Sequence, residues 1–390
     1  MQQKLIALAV AAFVSGAAFA QSNVTVYGTV DMGYANRSSN ITRGVKSQNA
    51  INSGQSSASM LGFKGEEDLG SGNKALFVLE TGFQTDTGAQ SDDPFFNEQA
   101  YLGLTGNWGT FIAGRLIPPR YSFLGELTPF GDDSMGRYGN VFGDFTTVDY
   151  LTGLLTEPVW TALLTANPDL ADLDTTLASI PRVNNAVAYE SPEFSGFKVT
   201  AAYAASGLAT EGISNKLDAR VYTVLPRFTK GGLDVGLAWQ RVDIKDVKEV
   251  LDTKIVLDQW TLGASYDFEV VKFSAFYDDF TMNTSSGFYN PRMKSWLVGL
   301  SAPFKNHAVQ LSYTQSELKT ARDEFYNKAS QVAVGYTYEF SKRTNFYAVY
   351  AHIANDKKNG TYLRETSVGD AGNGGEGYRN GAQFGLKHTF

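Results

Sequence analysis

The chain has 390 residues, with 33 Lys+Arg against 40 Asp+Glu, a net charge of -7, and no cysteine. Lack of cysteine excludes disulfides, thiolate metal sites, a lipidated cysteine and haem attachment. The acidic balance speaks against a nucleic-acid partner, which favours a basic stripe.

Lys4 provides a positive n-region, Leu5 to Val14 is an apolar run, and Ala18-Phe19-Ala20 has the small-x-small form of a cleavage site. The run is shorter than the ~20 residues a membrane-spanning helix needs. Residues 1–20 therefore read as a secretory signal peptide, and the exported chain begins at Gln21. After the leader no apolar stretch reaches the ~18 residues of a candidate transmembrane helix.

From Val24 onward the chain alternates with period two. Val24, Val26, Val30, Met32 and Tyr34 face one way, and Thr25, Tyr27, Thr29 and Asp31 the other. The pattern returns at Trp260, Leu262, Ala264, Tyr266 and Phe268 against Gln259, Thr261, Gly263, Ser265 and Asp267. It returns again at Val332, Val334, Tyr336, Tyr338 and Phe340 against Gln331, Ala333, Gly335, Thr337 and Glu339. Sixteen strands are expected, starting near residues 24, 57, 73, 97, 109, 185, 197, 219, 233, 258, 271, 293, 307, 329, 344 and 380. Short connections such as Leu69-Gly70-Ser71-Gly72 and Ser341-Lys342-Arg343 alternate with long ones, among them 37–56, 116–184 and 355–379. Apolar faces this numerous exceed the needs of one soluble core. With aromatics at their ends, they suit an antiparallel transmembrane β-barrel, lipid outside and water within. Residues 21–390 are then a single domain, wide enough for an aqueous channel.

The third long connection, about 116–184, exceeds ordinary loop lengths and is expected to fold into the lumen. Leu163, Leu164, Leu170, Leu173 and Leu177 suit a short amphipathic helix over 158–180, broken at Pro168. Residues 117–184 hold nine acids (Glu126, Asp132, Asp133, Asp144, Asp149, Glu157, Asp169, Asp172, Asp174) against Arg120, Arg137 and Arg182. At the other end, Phe384, Leu386, His388 and Phe390 share one face of a strand that ends the chain. Such a strand is expected to pair with the first and close the sheet.

Several blocks carry a resemblance. They are Val24-Thr25-Val26-Tyr27-Gly28 with Asp31, then Leu61-Gly62-Phe63-Lys64-Gly65-Glu66-Glu67-Asp68-Leu69-Gly70. Next come Gln99-Ala100-Tyr101-Leu102-Gly103-Leu104, Gly109-Thr110-Phe111 through Gly114-Arg115, and Arg182-Val183-Asn184-Asn185 with Tyr189-Glu190-Ser191-Pro192. Gly263-Ala264-Ser265-Tyr266-Asp267-Phe268, Ser341-Lys342-Arg343-Thr344 and Leu386-Lys387-His388-Thr389-Phe390 complete the set. In this order they resemble the trimeric general porins of Gram-negative bacteria, in the neisserial and β-proteobacterial branch. The resemblance implies a sixteen-stranded homotrimer in the cell outer membrane, among lipid and lipopolysaccharide, passing small hydrophilic solutes and ions. It also implies a ladder of basic side chains facing the third loop, to which Arg115 and Arg182 correspond. Two positions depart: Met60 follows Ser59 where the family usually has Arg, and Glu98 stands before Gln99 where the family again has Arg.

The expected pore constriction therefore comprises Arg115, Arg182, Glu126, Asp132, Asp133, Glu98, Met60 and Lys64. With two cations lost, a weakly cation-preferring or nearly neutral pore is expected. A channel selective for organic acids or sugars is the alternative. A barrel enzyme is the distant one: His307, His352 and His388 sit in no hydrolase pattern, and no phosphate loop or dinucleotide fingerprint occurs. No cofactor is expected. Asp92-Asp93 and Asp132-Asp133 offer oxygen ligands for Ca²⁺, or are simply solvated loop acids.

Overall fold

The computed structural model describes residues 23–38, 47–141, 181–206, 218–245, 254–284, 292–319, 326–357 and 380–390. The leader and the 158–180 helix expected from the sequence lie outside these residues. The first strands are β1 (Asn23–Arg37), β2 (Gln48–Ser53), β3 (Met60–Gly70), β4 (Asn73–Gly82), β5 (Ala100–Gly106) and β6 (Gly109–Leu116). Helix α1 (Pro119–Leu127) follows, and then β7 (Val183–Glu190), β8 (Phe197–Ala204), β9 (Asp218–Lys230), β10 (Leu233–Lys245) and β11 (Ile255–Asp267). The last are β12 (Lys272–Thr284), β13 (Arg292–Phe304), β14 (His307–Lys319), β15 (Tyr326–Ser341), β16 (Thr344–Lys357) and β17 (Asn380–Thr389). No helix among the described residues is long and apolar enough to cross a membrane.

From β3 onward each strand pairs antiparallel with the next, and β17 returns to β1 in a register running from Thr29↔Thr389 to Arg37↔Gly381. The result is a closed 16-strand antiparallel barrel. Gly28 and Phe390 finish the seam: the Gly28 amide donates to the Phe390 carbonyl (3.2 Å) and the Phe390 amide to the Gly28 carbonyl (3.1 Å). Closure leaves no row of unpaired backbone groups facing hydrocarbon, where each costs several kcal/mol.

One expected connection differs in form. The strand expected near residue 57 is β3, and a further short strand, β2, forms within the connection expected at 37–56; the two pair with the two halves of β1. Between them residues 54–59 leave the sheet to hold Asp31: the Gln55 and Ser56 amides donate to its carboxylate (3.1 and 3.2 Å). Ser59 Oγ accepts from the Asp31 amide and donates to its carbonyl, both at 3.0 Å. The interruption gives a buried carboxylate its donors. That requirement does not show in the alternation.

The two faces separate as the pattern implied. Trp260 and Leu262 are 51% and 54% exposed, while Gln259 and Thr261 between them are 2% and 0% exposed. Apolar side chains outside and polar ones inside are what a membrane barrel requires. Rings collect at both ends of the apolar face. Trp239–Trp260 (6.1 Å) and Trp296–Tyr313 (5.1 Å) lie toward the long connections; Tyr266–Phe268 (4.5 Å) and Tyr338–Phe340 (5.1 Å) lie toward the short turns. These are the two aromatic girdles that bracket a hydrocarbon layer.

Candidate functional site

After β6 the chain turns onto the polar face of the sheet. Pro119 opens α1 with the fixed φ that suits a first helical turn. The helix lays Phe123 and Leu127 against β10 and β11, where Gly236 and Gly263 stand. A Cβ on Gly263 would lie 2.6 Å from Leu127 Cδ2 and 2.7 Å from Phe123 Cε1; one on Gly236 would lie 2.7 Å from Phe123 Cζ. Glycine is needed there because the helix approaches that closely. Further along, Pro129 packs on Gly299 of β13 and Phe130 on Gly335 of β15.

Polar anchors fix the same segment. Arg120 donates from Nε to Thr261 Oγ1 and from a terminal nitrogen to Asp278 Oδ2, both at 2.8 Å. Asn140 Nδ2 donates to Gln331 Oε1 (2.8 Å), and Gln331 Nε2 donates back to the Gly136 and Arg137 carbonyls at 3.0 Å. The Met135 amide donates to Gln383 Oε1 (3.1 Å), and Gln383 Nε2 donates to the Gln55 carbonyl (2.7 Å). Residues 119–141 therefore touch the polar face from β9 to β17.

Most of the residues expected at the constriction meet near the root of this connection. Arg182 is ion-paired with Glu98 and donates to the Pro181 carbonyl at 2.7 Å. Arg115 donates to the Asn97 carbonyl (2.8 Å) and to Asn184 Oδ1 (2.5 Å). Asp133 accepts the Ala58 amide at 2.8 Å and lies within the electrostatic reach of Arg137, Arg182 and Glu98. Burial, then the Asp133 carboxylate, pushes the Asp132 carboxyl up to about 7; a hydrogen bond from Tyr138 opposes this. Burial also raises Asp133, and it raises the phenols of Tyr121 and Tyr138 with help from Asp132. Among the described residues no three His, Asp or Glu side chains form a metal cluster.

Three expected residues stand apart from that cluster. Glu126 accepts from Arg227 of β9 at 2.7 Å, and Arg227 is held in turn by Asp234. Lys64 lies over the Tyr27 ring, 4.8 Å from its centroid. Met60 opens β3 opposite Thr29 and Gly82, on the same polar face as Tyr27 and Lys64.

The profile of the Gram-negative porin family matches residues 7–358. The chain belongs to that family. It is 30% identical to outer membrane porin protein 32 of Delftia acidovorans, over 100% of both chains. It is 28% identical to an outer membrane porin protein of Bordetella pertussis, over 91% of this chain and 95% of the relative. Among solved structures, the anion-selective porin from Comamonas acidovorans superposes with a TM-score of 0.72 at 25% identity, covering 95% of this chain and 100% of that one. OmpT of Vibrio cholerae in its trimer form gives a TM-score of 0.66 at 13% identity, a likeness of fold. This porin is thus a channel protein of a Gram-negative outer membrane.

Sequence reasoning missed the porin's main anchors, Arg120–Asp278 and Arg227–Glu126. Arg120 and Asp278 are 158 residues apart, and only closure of the barrel brings them together. Phe123, Leu124 and Leu127 did carry a helical spacing, but the richer leucine pattern of 158–180 overshadowed it.

Proposed function

We propose that this porin passes small hydrophilic solutes and ions by passive diffusion, through a lumen narrowed by residues 119–141 of the third long connection. One observation carries the reading: residues 119–141 contact staves on well-separated arcs of one closed sheet, always on its polar face. A short segment reaches such staves together only from within. Arg115, Arg182, Glu98, Asp132 and Asp133 would then border the narrowest passage, with Lys64 and Met60 on the wall and Glu126 near the helix end.

We propose a weakly cation-preferring or nearly neutral pore, unlike what the name of the Comamonas porin says of that protein. Glu98 supports this by offsetting Arg182, and the Asp132–Asp133 pair supports it by placing acids on the loop side. Charge at a constriction decides the sign admitted, and low-dielectric walls focus it. The homotrimer rests on family membership and the trimer form of OmpT. Removal of residues 1–20 on export rests on Lys4, the apolar run and Ala18-Phe19-Ala20.

Liposome swelling with neutral sugars of rising size tests the reading. Diffusion predicts rates linear in solute gradient and falling steeply with size; a saturating rate for one sugar or organic acid would replace it with a selective channel.

A further inference from the structure

The inner face of the seam carries a clamp that closure of the barrel does not itself require. Tyr347 of β16, Gly385 of β17 and Gly33 of β1 stand side by side across three staves. The Tyr347 side chain lies over both glycines: a Cβ on Gly33 would come within 2.7 Å of its hydroxyl, and one on Gly385 would collide with it. Two missing side chains therefore make the groove through which the ring crosses the seam. Its phenol donates to Asp31 Oδ1 at 2.6 Å. Tyr347 is 2% exposed and Asp31 0%, so this bond is made away from water.

Asp31 begins a chain of contacts that leads to the constriction. Its carboxylate holds residues 54–59 through the Gln55 and Ser56 amides. Those residues reach the third long connection at their far end, where the Ala58 amide donates to Asp133 Oδ2 at 2.8 Å. Gln383 of β17 ties the same two pieces from the wall. Its Nε2 donates to the Gln55 carbonyl at 2.7 Å, and its Oε1 accepts the Met135 amide at 3.1 Å. Gln55, Ser59, Ser134, Met135 and Gln383 are all buried. A buried hydrogen bond that breaks leaves an unsatisfied group behind. Neighbours that share such bonds therefore open as one unit rather than singly.

We propose that Tyr347 and Asp31 are positioning residues for the constriction. They hold residues 54–59, and those residues together with Gln383 fix residues 133–135 on the seam side of the lumen. This role rests on the reading that residues 119–141 narrow the passage. The segment is then anchored twice, by Arg120–Asp278 at β12 and by the clamp of β16, β17 and β1. Each anchor has its own staves. Release of the clamp frees residues 133–135 while α1 stays on β10 and β11.

Hydrogen–deuterium exchange of the detergent-solubilised porin, read by peptide mass spectrometry, tests this in Asp31→Asn and Tyr347→Phe. Exchange in 54–59 should quicken roughly tenfold or more, the usual effect of losing a buried bond to a charge. The peptide around Met135 decides, because its amide bonds Gln383 and neither altered residue. It should quicken together with 54–59, while the α1 amides and the β1–β17 ladder keep their protection. Unchanged exchange over 133–137 overturns the proposal. Faster exchange along the β1–β17 ladder overturns it too, since the pair would then be a plain staple of the seam. If neither variant folds, wild type in rising urea decides alone. Residues 54–59 and 133–137 should open with one urea dependence, separate from that of 119–127, and unlinked opening counts against the clamp. Single-channel recording of the same variants separates the clamp from the reading beneath it. Flickering to a larger conductance supports both. Coupled exchange with a steady, unchanged current supports the clamp and removes residues 133–135 from the narrowest passage.

Discussion

Arg120 of α1 and Asp278 of β12 form an ion pair at 2.8 Å with both side chains only 1% exposed. Thr261 Oγ1 and Gln259 Nε2 supply further partners: Arg120 donates to Thr261, and both Thr261 and Gln259 donate to Asp278, Gln259 at 3.0 Å. A buried pair so completed is sensitive to the loss of one member, because the survivor keeps its charge without compensation. The pair fixes where the segment crosses the polar face.

Asp278→Asn should therefore weaken attachment of the 119–141 segment by ~3–5 kcal/mol, the usual effect of orphaning a buried charge. The barrel should still assemble, since its backbone ladder is untouched. The expected signature is a noisier open-channel current and faster protease cleavage within 119–141. Arg120→Met combined with Asp278→Leu should be milder than Asp278→Asn, because no lone charge remains.

Glu98 and Arg182 govern a second prediction. Glu98→Gln frees the guanidinium that Glu98 now neutralises. A unit charge ~8 Å from a passing ion in water is worth ~0.5 kcal/mol, opposite in sign for K⁺ and Cl⁻, hence roughly a fivefold change in their ratio. Reversal potentials in a KCl gradient should shift toward chloride by about that factor. Glu98→Arg with Met60→Arg should shift them further, and more at low salt where screening is weaker. No shift would remove Glu98 from the passage.

The alternation exposed nearly all of the barrel in the sequence, because lipid on one side and water on the other impose period two on every stave. The seam was legible for the same reason: Phe384 and Leu386 had to face lipid beside Tyr34 of β1. The split of β2 from β3 was not, since residues 54–59 answer to the Asp31 carboxylate rather than to either solvent. In the site, Glu98 was recognised as an odd acid, but its partnership with Arg182 depends on where the chain returns into β7. Helix α1 was hidden because its environment, Gly236 and Gly263, lies more than a hundred residues downstream.

The Asp132 carboxyl, pushed up to about 7 by burial and then by Asp133, should make ion preference pH-dependent near neutrality. Its pKa is raised above the ordinary value, so its contribution to stability is complete at acid pH and lost as pH rises through about 7. Asp132 is neutral below that point and ionised above it. Lowering the pH from 8 to 6 should therefore move the reversal potential toward chloride and tighten attachment of the segment. Asp132→Asn should abolish most of the potential shift, which the same KCl-gradient recording checks.

Placement of residues 119–141 inside the barrel is tested most directly by deleting residues 120–180 and recording single-channel conductance in planar bilayers. β6 and β7 are antiparallel neighbours, so a short turn can rejoin them without disturbing the staves. The account predicts a clearly larger conductance, because residues 120–141, which pack on the polar face, are gone. An assembled barrel of unchanged conductance would place the connection outside the passage and contradict it.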